Sequence, residues 1–308
     1  MTFVLQRVVQ LVPVLIGISL ITFFMLHLTG DPAVVILGPE ATTEAIEMLR
    51  EELGLNDPLH VQYGRFLMGA VQGDFGLSTR YRQPAFQLFV ERMPATLELA
   101  AFSLLFSVVV GTLVGVVAAV FRNTPIDGVV RVGALVGQAI PNFYLGIISI
   151  IIFAAQLRWL PAGGRGTWEH LILPVFALGT FYSAITARFV RGAMLEVMEA
   201  DFVRTARAKG LRSITVLFRH AFRNALIGVV TLIGLQTGSL LSGAVVTETV
   251  FSWPGIGRMA VQSIYTRDFP VVQVIIVMTA VIFVAINLVT DILYTVIDPR
   301  IRTGGSKS

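Results

Sequence analysis

The residues with the clearest chemical potential in this chain are the cations of one basic stretch, residues 199–227. It reads EADFVRTARAKGLRSITVLFRHAFRNALI. Its arginines can form charge-assisted hydrogen bonds with acidic groups of a protein partner, and the small residues Ala206 and Ala208 would let a partner's backbone come close. The same arginines could instead bind anionic lipid headgroups. The glycine at position 210 and the small face favour docking of a protein.

Two short helices would position these cations. Asp201 is a candidate N-cap of the first helix, and Gly210 suits the left-handed residue that ends it. Ser213 is a candidate cap of the second, in which apolar residues recur at helical spacing and Arg219 and Arg223 fill the other side. The second helix continues into an apolar run. The stretch is therefore predicted to be a cationic hairpin at the edge of a membrane.

The composition is that of an integral membrane protein. Hydrophobic residues make up 55% of the 308 positions and charged residues only 14%, and the mean hydropathy is +0.78. The net charge of +4 reflects arginines predicted to cluster on the cytoplasmic side, so nucleic acid is not an expected partner. The absence of cysteine excludes disulfides, cysteine-ligated zinc and iron–sulfur clusters.

Six apolar runs predict an all-α integral membrane protein with six transmembrane helices. They cover residues 8–28, 97–121, 129–157, 171–187, 226–250 and 271–293. The first run lacks the cleavage site of a signal peptide, and we interpret it as an uncleaved span. Under the positive-inside rule, 14 of the 23 basic residues fall on one side, which predicts that both termini are cytoplasmic.

Residues 31–96 differ from the rest of the chain and are predicted to be a small extracytoplasmic helical insertion. The segment holds nine acidic residues and five arginines, and its two legible helices end at Gly54 and near Gly73. The predicted organisation is an N-terminal transmembrane helix over 1–30, the insertion over 31–96, a transmembrane domain over 97–302 that contains the hairpin at about 199–226, and a cytoplasmic tail over 303–308.

Polar side chains at membrane depth are candidates for lining a translocation path. They are Gln138, Asn142, Gln236, Ser239 and Ser242. Each could line a path at a subunit interface or could simply form hydrogen bonds between helices. Three GxxxG pairs, Gly111 with Gly115, Gly133 with Gly137 and Gly234 with Gly238, favour close helix packing over a direct role in transport. Pro13, Pro141 and Pro174 are expected to break or bend their helices.

Residues 248–257 read ETVFSWPGIG and predict a tight turn with an aromatic anchor at the outer face. Glu248, Trp253 and Pro254 are therefore candidates for an outer gate. A plain re-entrant turn is an equal alternative.

Several kinds of chemistry are missing from the sequence. No GxxxxGK[ST] phosphate-binding loop occurs, and the four histidines lack the spacing of metal ligands, so no catalytic or metal site is predicted. Ionisable residues are rare in the apolar runs, and the acidic ones, Glu98, Glu248 and Asp291, lie near the edges. A proton-driven or sodium-driven secondary transporter is thus poorly supported, and the energy for transport is expected to come from a partner.

Several motifs together resemble the membrane subunits of binding-protein-dependent ABC importers, in the branch that imports peptides and nickel. The RTARAKG sequence at 204–210 resembles the EAA loop of that family. Ala206 and Gly210 match its general pattern, whereas Arg204 and Thr205 stand where other branches have Glu and Ala. The resemblance covers nearly the whole chain, including LGLNDPLHVQYGRFL, RMPATLELA, RHAFRNAL, ETVFSWPGIG and DPRIR at 298–302.

The resemblance implies a type I ABC importer transmembrane fold in the cytoplasmic (inner) membrane of a prokaryote. It implies pairing with a second, homologous permease, docking of one or two ATPase subunits that carry the ATP and Mg, and delivery of substrate by an extracytoplasmic solute-binding protein. This chain would bind no cofactor. The expected substrates are short peptides, with nickel or a nickel chelate as the alternative. The residues expected to dock the ATPase are Phe202, Arg204, Thr205, Ala206, Arg207, Lys209 and Gly210.

Overall fold

The computed structural model describes residues 2–28, 31–38 and 40–297, and the side chains of 12–25, 31–34, 36–38, 40–226 and 228–290. The predicted tail and the DPRIR sequence lie outside the described residues. The regular elements of this part of the chain are helices. They are α1 (Thr2–Leu28), α2 (Pro32–Leu37), α3 (Thr43–Glu52), α4 (Leu59–Gln72), α5 (Ala85–Val120), α6 (Pro125–Ala139), α7 (Asn142–Ser149), α8 (Glu169–Glu199), α9 (Asp201–Ala208), α10 (Ser213–Thr215), α11 (Arg223–Val250), α12 (Ile256–Tyr265) and α13 (Phe269–Ile297).

Two π-helical segments extend neighbouring helices. Ile150–Gln156 continues α7, and Val216–Phe222 joins α10 to α11. In the described residues, α5, α8, α11 and α13 are each long and apolar enough to cross a bilayer. The pair formed by α6 and α7 with its extension is bent by 97° and could make one further span. The described apolar part of α1, Val12–Met25, is shorter. The count of six spans stays a prediction.

The bend between α6 and α7 has a local cause. Pro141 has no backbone N–H to continue the helix, and it disfavours the helical conformation at Ile140, whose φ and ψ of −79° and 121° are extended. The break predicted at Pro141 is confirmed. The apolar run predicted over 129–157 is therefore two helical segments.

Within the described residues the chain divides into two compact units. The first comprises Met1–Pro94 with Arg258–Leu288. An aromatic cluster joins α1 to the insertion helices, with ring centroids 5.5 Å apart for Phe23 and Tyr63 and 6.4 Å apart for Phe66 and Phe75. The hydroxyl of Ser19 lies 2.8 Å from that of Tyr63. Aromatic pairs of this kind stabilise packing beyond the contribution of the area that they bury, so they hold α4 against α1.

The second unit comprises Ala95–Gly257 with the described residues from position 289 onwards, and α8 lies at its centre. Helices α6, α7 and α11 all pack on α8. A Cβ placed on Gly111 would lie 2.6 Å from Cβ of Thr186, and one on Gly115 would lie 2.6 Å from the carbonyl oxygen of Ala187. Only glycine lets α5 approach α8 so closely. The close packing predicted from this GxxxG pair is confirmed.

Candidate functional site: the cationic hairpin and the two ends of α11

The first helix of the hairpin, α9, begins one residue before the predicted position. Ala200 takes the N-cap conformation, with φ −67° and ψ 148°, and Asp201 is the first helical residue. The Asp201 carboxylate caps no backbone N–H and lies 3.7 Å from Arg204 on the exposed surface. The prediction of Asp201 as N-cap is wrong by one residue. Its charge still lies at the positive end of the helix dipole.

The end of α9 is a Schellman motif formed by Gly210. This residue has φ +75°, which a non-glycine residue adopts only with strain. Its N–H donates to the carbonyl of Arg207 at 3.0 Å, and the N–H of Leu211 donates to that of Ala206 at 3.4 Å. A Cβ on Gly210 would meet no atom within 4 Å. The predicted left-handed helix end is confirmed, and backbone conformation alone requires the glycine.

The inner face of α9 is apolar and fully packed. Val203 and Ala206 are buried against Val216 of the following segment, with Val197 of α8 beside them. Ala206 therefore lies in the hairpin's own core and exposes only 6% of its surface, and its role as a docking contact stays a prediction. Its small size lets the two arms of the hairpin approach each other.

The outer face of α9 carries the exposed residues. They are Phe202, Arg204, Thr205, Arg207, Ala208 and Lys209. Phe202 is 45% exposed, a large fraction for an aromatic side chain, and it lies among the cations. The Thr205 hydroxyl donates to the carbonyl of Asp201 at 2.9 Å and stays on the surface. An exposed aromatic ring among guanidinium groups is the composition of a binding surface.

The second arm of the hairpin is continuous with a membrane helix. Arg212 takes the N-cap position predicted for Ser213, which is the first residue of α10. The chain then runs through the π-helical segment into α11 without a break. Ala221 and Ala225 of this arm are buried against Val190 and Met194 of α8. Movement of the hairpin would therefore reach α11 through the chain and α8 through packing.

Two ion pairs anchor the part of α8 that supports the hairpin. Arg191 donates two hydrogen bonds to Asp127 of α6, at 2.7 and 2.8 Å, and the Asp127 side chain has no exposed surface. Arg122 pairs with Glu199 at the exposed end of α8. From the sequence, Arg191 is only one of the 14 basic residues predicted on the cytoplasmic side. The one signal for Asp127 was its i,i+4 spacing to Arg131, which lies 3.7 Å away.

The candidate path residues on α11 divide between two environments. Gln236 is buried, and its side-chain N–H groups donate to the Thr186 hydroxyl at 3.1 Å and the Tyr182 carbonyl at 3.3 Å. Its carbonyl accepts from the Ser107 hydroxyl at 3.1 Å. These bonds link α5, α8 and α11. Gln236 therefore forms hydrogen bonds between helices, which is the alternative to lining a translocation path. Ser239 and Ser242 are exposed on another face of α11.

Gln138 and Asn142 lie on either side of the bend at Pro141, and both are half-buried. In the part of the chain described, Nε2 of Gln138 is buried without a hydrogen-bond acceptor. Oδ1 of Asn142 accepts from the N–H of Phe143 at 2.9 Å. The five candidates therefore do not form one site within this chain, and their role in a path stays a prediction.

The turn after α11, residues 248–257, is closed by hydrogen bonds. The indole N–H of Trp253 donates to the Ala95 carbonyl at 2.8 Å, and the Trp253 side chain is fully buried. The Thr96 hydroxyl donates to Oε1 of Glu248 at 2.6 Å and accepts from the Ile256 N–H at 2.9 Å. The predicted tight turn is confirmed. The aromatic-anchor interpretation of Trp253 is wrong, because an interfacial anchor would expose its ring.

Gly255 lets the backbone of this turn come close to the Glu248 carboxylate. A Cβ at this position would lie 2.2 Å from Oε1 of Glu248, so the glycine packs directly on the carboxylate. Pro254 is half-buried beside it. Outside the turn, Arg165 stacks 5.9 Å from the Trp253 ring centroid and pairs with Glu98 at 2.6 Å. The gate role of Glu248, Trp253 and Pro254 stays a prediction.

Comparison with known families decides the class of this protein. Residues 111–303 match the family described as binding-protein-dependent transport system inner membrane component, and residues 1–100 match the N-terminal component of the same kind of system. The chain belongs to this permease family. It is thus a transport subunit, not a catalytic enzyme, and a multi-pass protein of the inner membrane.

Relatives place this permease in the peptide and nickel branch of ABC importers. The glutathione transport system permease protein GsiC of Escherichia coli is 43% identical over 303 residues, which cover 98% of this chain and 99% of the relative. GsiC of Salmonella paratyphi A is 42% identical over the same length, with the same coverage of both chains. As a permease of an ABC importer, the chain works with other components of such a system.

Solved structures support the type I importer fold. A chain of the MetNI methionine ABC transporter, inward facing, aligns with a TM-score of 0.58 and 20% identity over 69% of this permease and 97% of that chain. A chain of an amino acid ABC transporter with histidines aligns with a TM-score of 0.53 and 18% identity. This alignment covers 68% of this permease and 93% of that chain. At these identities the likeness concerns the fold. The predicted all-α type I fold is confirmed.

Proposed function

We propose that this permease forms half of the translocation path of an ATP-driven importer of short peptides. Both termini lie in the cytoplasm, and residues 31–96 lie outside it. The relatives support the substrate class, because glutathione, named in the description of GsiC, is itself a short peptide. The exposed serines Ser239 and Ser242 support a polar strip on α11, at the interface with a second, homologous permease.

The observation that carries the coupling part of the proposal is the two-sided character of α9. Its inner residues, Val203 and Ala206, are packed in the hairpin, whereas Phe202, Arg204 and Arg207 are exposed. We propose that this outer face docks an ATPase subunit that holds ATP and Mg, while this permease binds no cofactor. A solute-binding protein delivers the peptide from the other side of the membrane.

Co-purification with the ATPase subunits tests the docking surface. Arg207→Glu reverses a cation of the exposed face, and association is expected to weaken by roughly tenfold because the substitution places like charges in contact. Arg158→Glu is the matched control, since Arg158 is also an exposed arginine at the end of an apolar helical segment but lies outside the hairpin. Equal loss in both variants would contradict docking through α9.

Transport by the reconstituted importer tests the substrate and the energy source. ATP hydrolysis is expected only with the ATPase partners, and peptide-loaded solute-binding protein should stimulate it. Uptake of a nickel chelate in place of peptides would overturn the proposed substrate class. It would leave the proposed coupling to the ATPase subunits unchanged. Uptake by this permease alone in proteoliposomes, driven by a proton gradient, would overturn the ATP-driven mechanism itself.

A further inference from the structure

A mainly apolar cleft lies in the first compact unit, at the start of α13. Met25, Ile264, Phe269, Val272 and Ile276 form its apolar lining, and Thr22, Ser263 and Gln273 add polar groups. Its volume is about 230 Å³. Most of the lining surface is apolar, so water gains few hydrogen bonds inside it. An apolar chain is the ligand that such a lining favours.

The cleft opens on the least covered span of the described chain. Only 17% of the most apolar window of α13 is buried, against 56% for α8. Beside the mouth, Ile264 is 61% exposed and Tyr265 is 85% exposed. Tyrosine at the boundary between a polar turn and an apolar helix is typical of the membrane interface. An opening beside such a face would be accessible to lipid.

One cation, Arg267, lies at the rim of the cleft. In the described part of the chain its guanidinium group makes no hydrogen bond or ion pair. The neighbouring Asp268 does not form an ion pair with it in the described residues, because that carboxylate is fully buried and accepts hydrogen bonds from the Ser78 hydroxyl and the Thr79 N–H. Arg267 also has φ +53°, a strained conformation that glycine or asparagine would adopt more easily.

We propose that this cleft binds an anionic phospholipid, with one acyl chain between α1 and α13 and the headgroup phosphate on Arg267. Charge complementarity commits the site to an anionic lipid, since the rim presents one unpaired guanidinium group. Free phosphate would gain the cation but none of the apolar contact.

Native mass spectrometry of the detergent-purified full chain tests the site. The probes are phosphatidylglycerol and phosphatidylcholine with identical acyl chains. We expect phosphatidylglycerol to bind more tightly, and Arg267→Gln to weaken it by about fivefold, the contribution of one arginine near a lipid surface. Met25→Phe, which fills the cleft from a partly exposed position without changing charge, should weaken both lipids. Inorganic phosphate at millimolar concentration should not compete.

Arg158→Gln is the matched control for lost charge. Arg158 is likewise exposed, has φ +54° and follows an apolar helical segment, but it lines none of the cavities described above. Equal weakening by Arg158→Gln and Arg267→Gln would overturn the proposal, because it would indicate general attraction to a basic surface. Competition by inorganic phosphate would also overturn it. So would loss of phosphatidylglycerol binding when the partner permease is present, since protein would then cover the cleft.

Discussion

The two ends of α11 are built in opposite ways. At its start, the hairpin of α9 and α10 exposes Phe202 and the surrounding cations and is closed by backbone hydrogen bonds around Gly210. At its end, about 40 Å away along a helix of 28 residues, the turn at 248–257 buries Trp253 and is closed by side-chain hydrogen bonds. The hairpin exposes its aromatic and cationic side chains, whereas the turn buries its polar side chains in internal hydrogen bonds.

This difference indicates separate tasks. A surface that binds a partner must keep its anchors exposed, as the outer face of α9 does with Phe202 and Arg207. A segment that fixes helix geometry must satisfy its buried polar groups, as Thr96 does by donating to Glu248 and accepting from Ile256. Substitutions at the two ends should therefore separate effects on stability from effects on assembly.

The largest loss of stability is expected for Trp253→Ala. It removes a fully buried indole and its hydrogen bond to the Ala95 carbonyl, which together should cost about 3–5 kcal/mol. Thermal unfolding in detergent would measure this as a large fall in Tm. An unchanged Tm would show that the turn contributes little to the stability of the second unit.

The next largest effect should distinguish two glycines. Gly255→Ala forces a methyl group against the Glu248 carboxylate and should cost about 2–3 kcal/mol, the upper part of the range for overpacking. Gly210→Ala meets no atom and should cost about 1 kcal/mol, from backbone strain alone. Equal falls in Tm for the two variants would contradict the contrast between a packed turn and an open one.

A smaller effect is expected for Thr96→Val, which keeps the shape of the side chain and removes its hydroxyl. The Ile256 N–H and the Glu248 carboxylate would each lose a partner, at a cost of about 1–3 kcal/mol. Thr96→Ser is the matched control, because it retains the hydroxyl and should restore most of the Tm.

The smallest change in stability is expected at the hairpin. Phe202→Ala removes an exposed ring and should alter the free energy of unfolding by less than about 0.5 kcal/mol. It should nevertheless weaken co-purification of the ATPase subunits. Phe143→Ala, at a similarly exposed phenylalanine on α7, should leave that association unchanged. A stable variant with full association would exclude Phe202 from the docking surface.

Features that depend on neighbouring residues in the sequence were predicted well. Gly210 and Gly73 end their helices in the left-handed conformation, and Pro141 bends its span, because each acts through its own backbone. Helix starts were predicted less accurately. Asp201 and Ser213 were predicted as N-caps, but each is the first helical residue, and the residue before it takes the N-cap position. Several residue types can cap a helix, and local sequence alone does not select among adjacent candidates.

The sequence by itself determined the membrane class, the apolar helices and the motifs of the permease family, since hydropathy and local backbone preferences are carried by adjacent residues. Tertiary structure alone decided that Ala206 and Trp253 face inwards and that Arg191 closes on Asp127, 64 residues away. The reason is physical. Which face of a helix is buried, and which charge meets which, depends on surfaces that distant segments bring together.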